Sequence, residues 1–81
     1  MLDVTILTPQ EVLFQGQAVR VILPGEMGTF EVGQFHRPLM SRLLPGLIVV
    51  DNQHIPIVRG VVKVERDAVM AVVEPDAPAA S

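Results

Sequence analysis

The sequence predicts an all-β fold, a small antiparallel sandwich or barrel, on three observations. Its core must be aliphatic and valine-rich, since 49% of the 81 residues are hydrophobic while Trp and Tyr are absent and Phe occurs three times. β-Branched side chains are stiff at χ1 and suit a pleated surface better than a helix. Short alternating runs recur along the chain, and Pro, Gly, Asn or Asp punctuates them at close spacing.

Leu2, Val4 and Ile6 alternate with Asp3 and Thr5, which gives a strand over about 2–8, stopped by Pro9. Val12 to Phe14 is a brief apolar piece before Gly16, and Val19, Val21 and Leu23 form a second strand that Pro24-Gly25 turns. Thr29 to Val32 makes a short strand between two glycines. Pro38 to Leu44 is apolar enough to pack and reads either as extended chain or as a short helix, since Pro38 suits a first helical turn and the leucines have helical spacing. Pro45-Gly46 fits the central positions of a type II turn. Leu47–Val50 and His54–Arg59 form a hairpin across Asp51-Asn52, and Val61–Glu65 with Ala68–Glu74 form another across Arg66-Asp67. The domain is thus expected over 1–74, followed by a Pro/Ala-rich flexible tail over 75–81.

A chain of this length forms one domain and buries only about 60–65% of its unfolded surface. The absence of Cys excludes disulfides, thiol nucleophiles and Cys-based metal centres, and suits a reducing compartment. A net charge of −3, with the six basic residues spread along the chain, argues against nucleic acid as a partner. No basic residue precedes Arg20 and no apolar run nears the roughly 18 residues of a membrane span, so neither a signal peptide nor membrane insertion is expected.

The stretch from Gly25 to Gly46 concentrates four of the six glycines and one of the two histidines, and reads as a contact surface. His36 and His54 lack the spacing of a metal pair, and His36 is either a loop histidine bonded to a backbone carbonyl or an interface contact. Glu26 and Glu31 lie on a glycine-flanked loop with nothing to separate their pKa values. Ser41 lacks the glycine elbow of a hydrolase, and no phosphate-binding glycine string occurs. Lys63, the only lysine, invites comparison with the modified lysine of biotinyl or lipoyl carriers, but its flanking residues are wrong and it falls in mid-strand. A free-standing module with a ligand near His36 is a further alternative. No catalytic, cofactor-binding or metal residue is expected.

Several pieces, in order, resemble the amino-terminal domain of the epsilon subunit of F-type ATP synthases. These are the opening LDV strand, the Phe14-x-Gly16 step, the VRVI strand, the glycine-bounded turn, His36-x-Pro38-Leu39, Pro45-Gly46, and the segment Arg59-Gly60-Val61-Val62-Lys63-Val64. The sequence departs from relatives at Glu31, where many carry glycine, and at Gln34-Phe35, where they carry proline and then glycine or asparagine.

The resemblance implies a flattened sandwich of two sheets in the rotor, clamped to the gamma subunit and resting on the c-ring, and touching the α/β catalytic head only indirectly. It implies a non-catalytic part of a proton- or sodium-driven synthase, peripheral on the cytoplasmic face of the bacterial cell membrane. It further implies a short form without the carboxy-terminal helical domain. By the same resemblance, Glu26, Met27, Gly28, Thr29 and Glu31 face the c-ring, while Phe35, His36, Arg37, Pro38, Leu39, Met40 and Arg42 face gamma. An exposed apolar patch around Phe35, Leu39 and Met40 is then expected on the isolated chain.

Overall fold

The computed structural model describes residues 1–76 and contains eight strands and no helix among them. They are β1 (Leu2–Leu7), β2 (Val12–Ala18), β3 (Val21–Gly25), β4 (Gly28–Val32), β5 (Leu39–Leu43), β6 (Gly46–Val50), β7 (Gln53–Glu65) and β8 (Ala68–Pro75). The ladder runs β2-β1-β8-β7-β5-β3-β4, with β6 joining β3 to β7. Every pairing is antiparallel except β1 with β8, which run parallel. Sequence-adjacent turns can reveal hairpins, but this pairing of the two ends of the domain has no local signal.

Alternation in the sequence becomes a two-sided core. Leu2, Val4 and Ile6 of β1 are fully buried, as are Val62 and Val64 of β7 and Ala71 of β8. In the second layer Val21, Leu23, Val32 and Ile48 do the same. The two layers meet along β7. In its first half Ile57 points inward, whereas in its second half Val62 and Val64 do, so the parity of buried residues switches. The switch coincides with a register irregularity against β8 between Ile57 and Arg59. A bulge inserts one extra residue and thereby re-aims the side chains beyond it. The first half of β7 then pairs with β6 and the second with β5, so one continuous strand serves both layers.

Gly60 sits just past this irregularity. A Cβ there would lie 2.7 Å from the Val72 carbonyl oxygen and 2.8 Å from Val73 Cγ1. Only glycine lets β8 approach this closely. The sequence reading broke β7 at this glycine; the glycine instead allows the strand to continue.

Five further readings change. The segment 12–18 is a full strand antiparallel to β1, and the Phe14 ring lies about 3.7 Å from where a Gly16 Cβ would stand. That packing is the physical content of the Phe-x-Gly step. Residues 39–43 are extended, so the short-helix alternative fails: their ladder with Val61–Val64 of β7 satisfies backbone groups that a one-turn helix would leave unpaired. The β3–β4 chain reversal occurs at Glu26-Met27, because Pro24 and Gly25 remain in the ladder opposite Thr29 and Gly28. Gly46 has no positive φ, so Pro45-Gly46 does not form a type II turn. At the far end, β8 includes Pro75, and the Asp76 N–H donates to the Pro56 carbonyl at 3.0 Å. The remainder of the expected tail, from residue 77, lies outside the described residues.

Candidate functional site

The two-residue Glu26-Met27 turn projects from the end of β3 and β4. Gly28 closes it with φ of 113°, a left-handed conformation open to glycine, and Met27 is fully exposed at its tip. Beneath it Phe30 covers Gly25, where a Cβ would fall 2.7 Å from the ring.

Across a gap runs the segment 33–38. The Gly33 carbonyl accepts the His36 N–H at 3.3 Å, and the Phe35 N–H reaches the Asp67 carboxylate at 3.4 Å. Asp67 in turn accepts the Asp3 N–H on its carbonyl at 2.7 Å, so the segment is tied to the β7–β8 turn and to the start of β1. His36 Nδ1 lies 2.7 Å from the Arg37 carbonyl; a carbonyl only accepts, so Nδ1 carries the proton and Nε2 is left free.

Phe35 has φ of 66° and is 82% exposed. Glycine and asparagine are the residues that adopt positive φ at least cost. An aromatic ring held outward in that conformation is a strained and exposed position.

The turn and the segment enclose an open groove of roughly 620 Å³. Glu26, Met27, Gly28 and Thr29 line one side, and His36 to Met40 the other. The two groups expected to face different partners therefore share one groove. Three expected residues do not line it. Glu31 points away on β4 with Arg20 at 3.9 Å, Phe35 stands at the rear, and Arg42 lies further along β5. Leu39 is half-buried against the core and so is only partly available as part of an exposed patch, whereas Met40 is 70% exposed.

Sequence reasoning missed one grouping of exposed apolar side chains. On the outer face of the layer β2-β1-β8-β7-β5, Met40 stands opposite Lys63, Lys63 opposite Met70, and Met70 opposite Thr5. In the adjacent row Arg42, Val61, Val72, Leu7 and Val12 follow one another across five strands. Met70, Val61, Val72 and Val12 are each about half exposed. Outward positions of a sandwich are ordinarily polar, so exposed apolar side chains gathered over two rows, with Lys63 and Thr5 among them, make this face a candidate contact surface. Alternation alone marked these residues as the outer partners of buried neighbours; only the register assembles them.

Other residues weighed for chemistry are unremarkable. Ser41 Oγ donates to the Arg42 carbonyl at 2.9 Å, and Lys63 lies within β7 beside Glu65 at 3.6 Å rather than at a hairpin tip. His54 is an exposed residue opposite Val49. Among the described residues no group of three His, Asp or Glu side chains could hold a metal, and no helix is long and apolar enough to cross a membrane.

Comparison with known proteins bears on family and fold. The family described as ATP synthase, Delta/Epsilon chain, beta-sandwich domain matches residues 1–75. An ATP synthase epsilon chain of Parvibaculum lavamentivorans is 38% identical over 68% of this chain and 42% of its own. Those of Sulfurimonas denitrificans and a Nitratiruptor species are each 37% identical, over 90% and 95% of this chain and 60% and 64% of theirs. The chain thus spans about half the length of these relatives. In fold it is similar to a chain from a cryo-EM structure of the Tetrahymena thermophila mitochondrial ATP synthase central stalk and c-ring, with TM-score 0.73, 18% identity, and coverage of 90% of this chain and 63% of that one. With the family's pattern matched over residues 1–75, from end to end of the sandwich, the chain belongs to the β-sandwich domain family of ATP synthase delta and epsilon chains.

Proposed function

We propose that the chain works as a central-stalk rotor element of an F-type ATP synthase, without catalytic chemistry of its own. It docks the gamma subunit through the outer face of the β2-β1-β8-β7-β5 layer. The Glu26–Glu31 turn rests on the polar loops of the c-ring, and Arg37 and Met40 reach across the groove between the two contacts. Rotation driven by protons or sodium ions in the ring passes through this rigid body to the stalk, and so indirectly to the α/β head. Its place is then peripheral, on the cytoplasmic face of a bacterial membrane.

The observation that supports this reading is the set of exposed apolar side chains Met40, Val61, Met70, Val72 and Val12 on one face, with Lys63 between Met40 and Met70 and Arg42 at the β5 end. Apolar area supplies affinity, while the arginine fork gives direction at the rim. Transmission of torque requires stiffness, and the sharing of β7 between both layers supplies it. The expected test is co-elution of the purified chain with the gamma subunit, compared with Val61→Lys plus Val72→Glu. Both side chains point outward and the two new charges oppose each other with opposite sign across the β7–β8 ladder, so the variant keeps its thermal melt and loses at least about tenfold in affinity. Unchanged binding in the folded variant would remove this face from the proposal.

A further inference from the structure

Two of the hairpin turns open on a residue of positive φ. Asp51 and Arg66 each take φ of 50°, a conformation that glycine adopts at least cost. Asp51 uses it inside the fold, where its carboxylate accepts the N–H groups of Val19 and Arg20 at 3.1 and 3.2 Å. Arg66 makes no side-chain hydrogen bond or ion pair among the described residues, although Asp3, Glu65 and Asp67 line a cavity with it. Those carboxylates are already engaged, by Gln17 Nε2 at 3.2 Å, by Lys63 at 3.6 Å and by the Phe35 N–H at 3.4 Å. The Arg37 guanidinium is likewise without a partner among the described residues. Both arginines are exposed, and both line a cavity of about 360 Å³ beside the groove, together with Phe35, His36 and Asp67.

We propose that this cavity binds a phosphate group that retains one P–OH, either free or at the end of an ester. Two guanidinium forks offer more donors than the two oxygens of a carboxylate can use, whereas a phosphate has acceptors for both. His36 distinguishes among oxyanions. Its ring proton lies on Nδ1, against the Arg37 carbonyl, so neutral Nε2 only accepts. Hydrogen phosphate, or a singly ionised phosphate ester, has a P–OH to give it near neutral pH; sulfate has none. Phe35 supplies an apolar wall beside the charges, where a lower local dielectric strengthens them. Arg66 and Phe35, the two residues held at positive φ with no use for their side chains inside the fold, thus serve one site. An ion of five heavy atoms binds such a site with Kd on the order of 1 mM.

The test uses this chain alone and is independent of the rotor reading. The ¹⁵N-labelled chain is titrated with sodium phosphate to about 50 mM at fixed ionic strength, with sodium sulfate as the control. The amide signals of Phe35, Arg37, Arg66 and Asp67 are expected to shift and saturate, with sulfate at least about fivefold weaker. Arg37→Gln and Arg66→Gln, both at exposed positions, are each expected to weaken phosphate at least about fivefold, while Arg59→Gln binds as the parent does. Given saturation, co-sedimentation with phosphatidylcholine vesicles containing phosphatidic acid, lost in Arg37→Gln, identifies a lipid headgroup as the source. Saturation without co-sedimentation identifies a soluble phosphate. Shifts that stay linear throughout, an equal response to sulfate (an adventitious ion only), or arginine variants that bind as the parent does would each overturn the proposal.

Discussion

Replacing Gly60 by alanine tests the idea that one strand binds the two layers together. The added methyl would stand 2.7 Å from a backbone carbonyl oxygen of β8 and 3.1 Å from the Val73 Cα. Neither can swing aside as a side-chain tip could, so strand β7 or β8 must shift at the point where both layers depend on it. Overpacking of this kind costs about 1–3 kcal/mol, and the restricted unfolded chain returns about 0.4–1 kcal/mol. A net loss of about 1.3 kcal/mol lowers Tm by roughly 5–10 °C for a domain of this size. Two other glycines separate the causes. Gly33→Ala meets no atom within 4 Å and has no positive φ, so it is expected within about 0.5 kcal/mol of the parent, or slightly more stable. Gly28→Ala also enters open space but at φ of 113°, and its loss of about 1 kcal/mol isolates backbone strain. Circular dichroism melts and urea midpoints on the three variants provide the assay. A Gly60→Ala melt indistinguishable from that of Gly33→Ala would refute the close-approach argument.

Two further predictions concern single side chains. Phe35→Asn relieves a left-handed aromatic residue and is expected to raise stability by about 0.5–1 kcal/mol in urea unfolding, while weakening gamma binding in titration. Thr8 is 5% exposed, and its Oγ1 accepts the N–H groups of Gln10 and Glu11 at 3.0 and 3.1 Å. Thr8→Val strands both donors and is expected to cost about 1–3 kcal/mol, whereas Thr8→Ser retains the oxygen and most of the stability.

What the sequence disclosed followed from local chemistry. The alternation of Leu2, Val4 and Ile6 and the two-residue connections Asp51-Asn52 and Arg66-Asp67 lie within a few residues of what they specify, and these strands and hairpins formed as expected. Strand β2 was legible only in part because its polar glutamines and Gly16 obscure the period and because a register shift between Ile6 and Leu7 breaks it. The bend in β7 was missed because a glycine within a strand reads as an interruption unless the neighbouring strand pressing on it is known. Residues 25–46 were read as a contact surface from their glycines and His36. The apolar band was not, since Val12, Val61, Met70 and Val72 come from three strands whose mutual register is a long-range property.

The central claim is that gamma covers the outer face of the β2-β1-β8-β7-β5 layer. Its most direct test places a photo-crosslinking amino acid at Met70, on that face, or at Leu47, which is comparably exposed on the other layer, in chain reconstituted with gamma and the c-ring. The account predicts a gamma adduct from position 70 and none from position 47. Crosslinking to gamma from position 47 but not from position 70 would contradict it.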